Sequence, residues 1–291
     1  MIAYFDASYN HPQGKTANDP KIHTIAVYMA SRDNWRKLRK EWKRVLDSYN
    51  VPFFHVKDFE YARNVAIYGR GKISSKSPYI DWTPEKFNTF EQKLHKTINR
   101  KGADGIPYIT ARTSNILVKD YEETLPSDLK DHPGCRSYFI LNVINLINAI
   151  SQWADLENYR EYIEYVFSEG DDDIGDISKW FHWCSQHELT IRHYRLSLRI
   201  KSKPYDIQSM KTEPALQMVD CPAYELNRAI VEWAKKDFQP TPMSELRKSL
   251  SSLCKIDHFG ATLRRPELLQ VYDDVRKNDQ ILAALLHEWI G

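Results

Sequence analysis

Cysteine is scarce in this chain of 291 residues: Cys135, Cys184, Cys221 and Cys254 stand far apart, and no two of them form a CxxC pair. That spacing excludes a zinc knuckle and a disulfide framework, so reduced thiols in a cytoplasmic setting are the expectation. An excess of one charge is also lacking. Lys and Arg total 41 against 39 for Asp and Glu, a net charge of +2, which excludes an overtly basic nucleic-acid wrapper and an acidic solvating protein. Any charge-driven contact must therefore be local. Long apolar runs are missing too: the longest, near residues 139–150, is broken by Asn142, Asn145 and Asn148, and the opening Met-Ile-Ala-Tyr-Phe-Asp has no basic segment. The expectation is a soluble cytoplasmic protein that does not enter a membrane. With only 10 Gly, the chain has no Walker loop, no GxGxxG after a strand and no GxSxG elbow, and it also lacks HExxH. Kinases, nicotinamide enzymes, serine hydrolases and zincins are thereby disfavoured.

What the chain does have is apolar and aromatic weight, 42% and 12% of its residues, enough for one large domain or two small ones. Residues 2–5 are a strand-forming run that ends on Asp6, and residues 22–30 suggest its antiparallel return. Residues 33–49 predict a helix, because Trp35, Leu38, Trp42, Val45 and Tyr49 recur at steps of three and four. Thr83 and Pro84 read as an N-cap and first helical position, followed by the stripe Phe87, Phe90, Leu94 and Ile98. Ile106, Tyr108 and Thr110 alternate as a strand. Residues 139–153 are apolar around most of the circumference, as a central buried helix would be. Residues 162–167 predict a strand leading into Ser168, Glu169 and Gly170, and Ile174, Ile177, Trp180, Phe181 and Cys184 then take helical spacing.

Leu196, Leu198 and Ile200 alternate with Arg195, Arg199 and Lys201, which predicts a strand with one apolar and one cationic face. Leu216, Val219, Ala223, Leu226, Ile230 and Trp233 mark a long helix, with Pro222 either at its start or at a kink beside Asp220. After Pro240 and Pro242 the remainder reads as helical. The sum is an α/β fold: a mixed β-sheet flanked by helices, a helical insertion at about residues 31–105, one domain over residues 1–238 and a helical C-terminal extension over residues 239–291 packed on it.

Three carboxylates stand out by position: Asp6 at or next to the end of the first strand, Glu169 just past a later one, and Asp220 near the start of the long helix. Strand ends and the helices beside them can converge on one crevice. Converging carboxylates repel one another unless one or two Mg²⁺ or Mn²⁺ ions, which prefer oxygen ligands, neutralise them. A surface acid at a strand end or helix start is the alternative for each alone. His55 and Asp58 lie in Phe53-Phe54-His55-Val56-Lys57-Asp58-Phe59 and can share a helix face, as a proton carrier and its partner or as a hydrogen-bonded pair in a crowded region. The acidic run through Glu169, Asp173 and Asp176 fails the calcium-loop pattern at its sixth and twelfth positions. Two stretches could meet phosphate: residues 32–44, with seven cations and two acids, and residues 192–211, with six and one. Solvated helix and strand faces carry the same signature.

Four ordered blocks carry a resemblance: YFDASY; HTIAVYMA with DNWRKLRKEWKRVLDSYNVPFFHVKDFEYA; YVFSEGD; and PALQMVDCPAYELNRAI. Over about residues 1–235 the chain resembles the domain-of-unknown-function family 3800, regarded as ribonuclease H-like within the integrase and resolvase superfamily. The resemblance implies a mixed sheet whose first strand offers Asp6, whose fourth ends on Glu169 and whose last helix supplies Asp220, the three holding two metal ions for phosphodiester chemistry. His55 and Asp58 would line the same cleft. Where the family reads D-E-S-G, this chain has Ala7 in place of the second acid and Tyr9 in place of the glycine.

The function implied is a divalent-metal-dependent nuclease acting on DNA or RNA, with Arg195, Arg199 and Lys201 as a phosphate track. The alternative, which Ala7 favours, is a catalytically degenerate module that binds nucleic acid, a second copy of itself or a partner protein of a defence system.

Overall fold

The computed structural model describes residues 1–10, 18–170, 173–186, 200–236, 238 and 257–290. At its centre runs β1 (Ile2–Tyr9), paired antiparallel with β2 (Ile22–Ala30) from Ile2↔Ala30 to Tyr9↔His23. The expected insertion follows as α1 (Arg32–Ser48), α2 (Val56–Tyr68) and α3 (Pro84–Ile98). Next come β3 (Thr110–Leu117), α4 (Val118–Thr124), α5 (Tyr138–Leu156), β4 (Ile163–Ser168), α6 (Ile174–Gln186), β5 (Ile200–Gln208), α7 (Pro214–Ala234), β6 (Asp257–Leu263) and α8 (Arg265–Ile290). The strand order is β5-β4-β1-β2-β3-β6. β4 lies parallel to β1, β5 to β4 and β6 to β3, so β2 alone runs against the rest.

Local chemistry starts the helices where the sequence predicts. Ser31 accepts from the Asn34 amide ahead of α1, Thr83 from Lys86 ahead of α3, and Ser137 from Ile140 ahead of α5. Trp35, Leu38, Trp42 and Leu46 make the buried stripe of α1.

Both faces of the sheet are covered, which is why β2 is buried at every position and reads as a largely apolar run. On one side α5 and α6 pack on Ala3, Phe5, Ile25, Val27, Tyr165 and Phe167. On the other, the insertion and α7 pack on Ile2, Tyr4, Ala26, Tyr28 and Val166. Gln217 of α7 ties the insertion down: its Oε1 accepts from the Trp42 indole at 3.0 Å and the Phe54 amide at 3.1 Å.

Three expectations are corrected. The strand expected at Ile106 and Tyr108 begins instead at Thr110, since 101–107 fold back through a Lys101↔Pro107 bridge. β3 reads T-A-R-T-S-N-I-L, and its polar residues hid it because partners on other elements satisfy them, as Asn142 does Ser114 at 2.7 Å. The tail is not wholly helical: β6 joins the sheet beside β3, so the sheet continues beyond residue 238. Its D-H-F-G-A-T-L has no alternation to read and takes its register from the edge of β3. Last, α7 neither begins nor breaks at Pro222; it starts at Pro214, capped by Glu213, and runs through. Most of the strand expected at residues 196–201 lies outside the described residues. No helix among the described residues is long and apolar enough to cross a membrane.

Candidate functional site

Alternation along β1 sends Ile2, Tyr4, Asp6 and Ser8 toward α7. Asp6 is therefore mid-strand, not at a strand end, and is closed beneath the helix at 3% exposure. Beyond it, Asn227 of α7 donates to the Ser8 and Ile22 carbonyls at 3.1 and 3.0 Å, pinning helix to sheet.

Asp220 lies seven residues before Asn227, two turns back on the same stripe of α7. It too departs from expectation. Because α7 starts at Pro214, Asp220 sits well inside the helix and is 4% exposed, rather than near an open end. Its Oδ2 accepts from the Val56 amide at 2.7 Å, at the first turn of α2. His55 precedes that turn without a side-chain cap of its own, so Asp220 caps α2 from another element. Burial raises the Asp220 carboxyl above the ordinary range; the charge of His55, the Val56 amide and Lys57 pull the other way, and Asp58 adds to the rise. Cys221 beside it is buried, and the charges of Asp220 and Asp6 both help push its thiol up.

His55 and Asp58 do meet, Nδ1 to Oδ2, at 3.1 Å. They open onto a cavity of ≈ 450 Å³ whose wall also includes Tyr61, Lys72, Lys76 and Tyr79. The structure thus joins Asp220 to His55 and Asp58, and sets Asp6 on the same side of the sheet. Glu169 stands apart: it is exposed on the turn after β4, its amide bonded to the Gln208 carbonyl at 3.0 Å. The β1–β4 register ends at Phe5↔Phe167, which puts Glu169 two residues beyond the last pair. Among the described residues, no group of three or more His, Cys, Asp or Glu side chains is placed to hold a metal ion. Asp6 and Asp220 fit a hard cation as oxygen donors on one side of the sheet; Glu169 does not join them in this arrangement.

The basic stretches change meaning. Of the α1 cations, Arg32 pairs with Glu164, Arg36 with Asp33, Arg39 with Glu213 and Lys43 with Asp47, so much of that surface is neutralised. Arg195 and Arg199 lie outside the described residues, and Lys201 is in β5. Asp176 of the acidic run is bound by Arg136 and Lys179, each at 3.2 Å.

Sequence reading missed two features. One is the network around buried Glu60, which takes Arg63 at 2.7 Å and the exposed Arg228 at 3.5 Å, while Arg63 also reaches Glu91 at 3.1 Å. The i,i+3 spacing of Glu60 and Arg63 was its sole local signal. The other is Tyr79, buried against Phe59, Trp82 and Phe87, whose hydroxyl has no hydrogen-bond partner among the described residues. Comparison of the chain with protein-family models, curated proteins and solved structures gave no match in any of the three.

Proposed function

We propose that the chain is a divalent-metal-dependent phosphodiesterase, a nuclease, on a ribonuclease H-like scaffold. The observation that carries this reading is the burial of Asp6 and Asp220 on one side of the sheet, under one helix, with His55 and Asp58 next to Asp220. Burying carboxylates is unfavourable, and their retention there is a signature of function. The first strand at the sheet centre, antiparallel to the second and parallel to the fourth, supports the scaffold.

In this reading Asp6 and Asp220 would hold Mg²⁺ or Mn²⁺, whose preference for oxygen their carboxylates match, and Glu169, the third acid of the resemblance, is left outside the site. The bound ion would supply Lewis-acid polarisation of the phosphodiester and a more acidic water. His55, oriented by Asp58, carries a proton at the cavity mouth, and Arg195, Arg199 and Lys201 are the proposed phosphate contacts.

Calorimetric titration with Mn²⁺, followed by cleavage of labelled DNA and RNA by the wild type and Asp220→Asn, tests the assignment. Metal uptake with cleavage lost in the variant is expected. Cleavage retained by Asp220→Asn removes Asp220 from the metal site. A second reading, a nucleic-acid or protein-binding module without catalysis, is favoured by Ala7 and by the use of Asp220 as a cap on α2. Absence of metal uptake selects it.

A further inference from the structure

We propose that the cavity between the start of α2 and residues 72–79 binds a nucleoside 5′-monophosphate unit, its phosphate on Lys72 and Lys76 and its base against Tyr61. This deepens the reading above, on which its place in a reaction rests, but its binding chemistry rests on separate observations. The cavity, at ≈ 450 Å³, falls within the span of about 300–1,000 Å³ typical of small-molecule sites.

Its rim is cationic: Lys72 and Lys76 are exposed, and neither forms an ion pair with a described residue. In the same segment the Ser74 oxygen accepts from the Lys76 amide at 3.3 Å, and the Ser77 oxygen from the Tyr79 amide at 3.3 Å. Both hydroxyl protons are left to donate to a phosphate oxygen. One wall is aromatic. Tyr61 is 54% exposed, and a base stacked on such a ring gains about 1–3 kcal/mol. Gly71 holds the loop close to that ring: its φ is +109°, and a Cβ there would lie 2.9 Å from the Tyr61 hydroxyl oxygen.

The deepest feature is Tyr79, 2% exposed, whose phenol is pushed above its ordinary range by burial and by the charges of Asp58 and Asp220. It is a neutral donor lacking an acceptor among the described residues, a state that costs about 1–3 kcal/mol. Asp58 repels phosphate from the His55 end, which leaves the lysine end for the anion and the floor for the ring. A planar phosphorylated ring answers both the cationic rim and the aromatic wall; a bare phosphate answers only the first.

The unit can come from a free nucleotide or from a nucleic-acid strand. The full chain is titrated in EDTA with adenosine 5′-monophosphate and, separately, with a short 5′-phosphorylated oligodeoxynucleotide, binding being read by calorimetry. Saturation by at least one is expected, and the tighter of the two identifies the source. Lys72→Glu with Lys76→Glu should weaken binding about tenfold or more through lost charge-assisted contacts. Tyr61→Ala should weaken it about fivefold or more through the lost stacking, with the unfolding midpoint little changed. A Tyr61 with no part in the site would leave affinity alone. Saturation by neither ligand, or unchanged affinity across the variants, overturns the site. Metal-free binding keeps this test apart from cleavage: binding without metal-dependent cleavage sinks only the phosphodiesterase reading, and cleavage without this binding sinks only the nucleotide site.

Discussion

On the α5 side of the sheet, Phe5, Phe139, Ile147 and Phe167 form an apolar layer whose buried polar cluster is neutral. Asn142 bonds His23 and Ser114, and Asn145 bonds Ser114 in turn. Burial holds His23 uncharged, its pKa lowered to about 3. On the α7 side, four acids (Asp6, Glu60, Asp220 and Glu225) are each at most 4% exposed. The α5 side keeps Asp176, at 9%, between two cations. The α7 side also buries more aromatic residues, ten against six, yet it is the side that carries the acids. Charge withdrawn from water is unfavourable wherever it lies, and its concentration on the side that also holds the cavity is the asymmetry on which the proposed function rests.

The contrast can be broken most forcefully from the apolar side. Phe139→Ala should remove about 3–5 kcal/mol of stability in urea unfolding, while the specific activity of the remaining folded protein stays unchanged. On the charged side, Asp220→Asn should do the reverse, lowering metal-dependent cleavage by at least about a hundredfold with an unchanged or raised unfolding midpoint, because a buried amide is less unfavourable than a buried carboxylate. A large fall in midpoint with cleavage intact would reduce Asp220 to a helix cap.

Glu60→Gln leaves Arg63 and Arg228 without their buried counter-charge and should destabilise by about 1–3 kcal/mol, read by the same unfolding curve. Acidity sharpens the comparison last. His23 and His95 have pKa values lowered to about 3 and about 4 from 6.5. Between those limits the unfolded chain takes up protons that the folded chain refuses, so their stabilising contribution is full above pH 6.5 and lost as pH falls. Each histidine should contribute a slope of at most about 1.4 kcal/mol per pH unit. His23→Gln should flatten the slope, and an unaltered slope would show that His23 is not the group held neutral.

Several elements were plain from the residues alone. Trp35, Leu38 and Trp42 repeat at helical spacing, and Thr83 followed by Pro84 starts a helix, because both signals act within one or two turns. His55 and Asp58 pair for the same reason, three residues apart in one segment. Tyr79 and Lys72 carried no such signal; their importance comes from the cavity that they share with α2.

Helix periodicity, caps and the apolar central strands are written into short stretches, where dihedral preference and side-chain spacing need no distant partner. The addition of β6 to the sheet, the neutralisation of the α1 cations and the depth of Asp220 are not. Asp220 meets Val56 across 164 positions of chain, and whether a carboxylate there faces water or a helix end depends on which segments stack upon it. Burial and hydrogen-bond partnership are properties of that stacking, and so only the folded molecule could settle them.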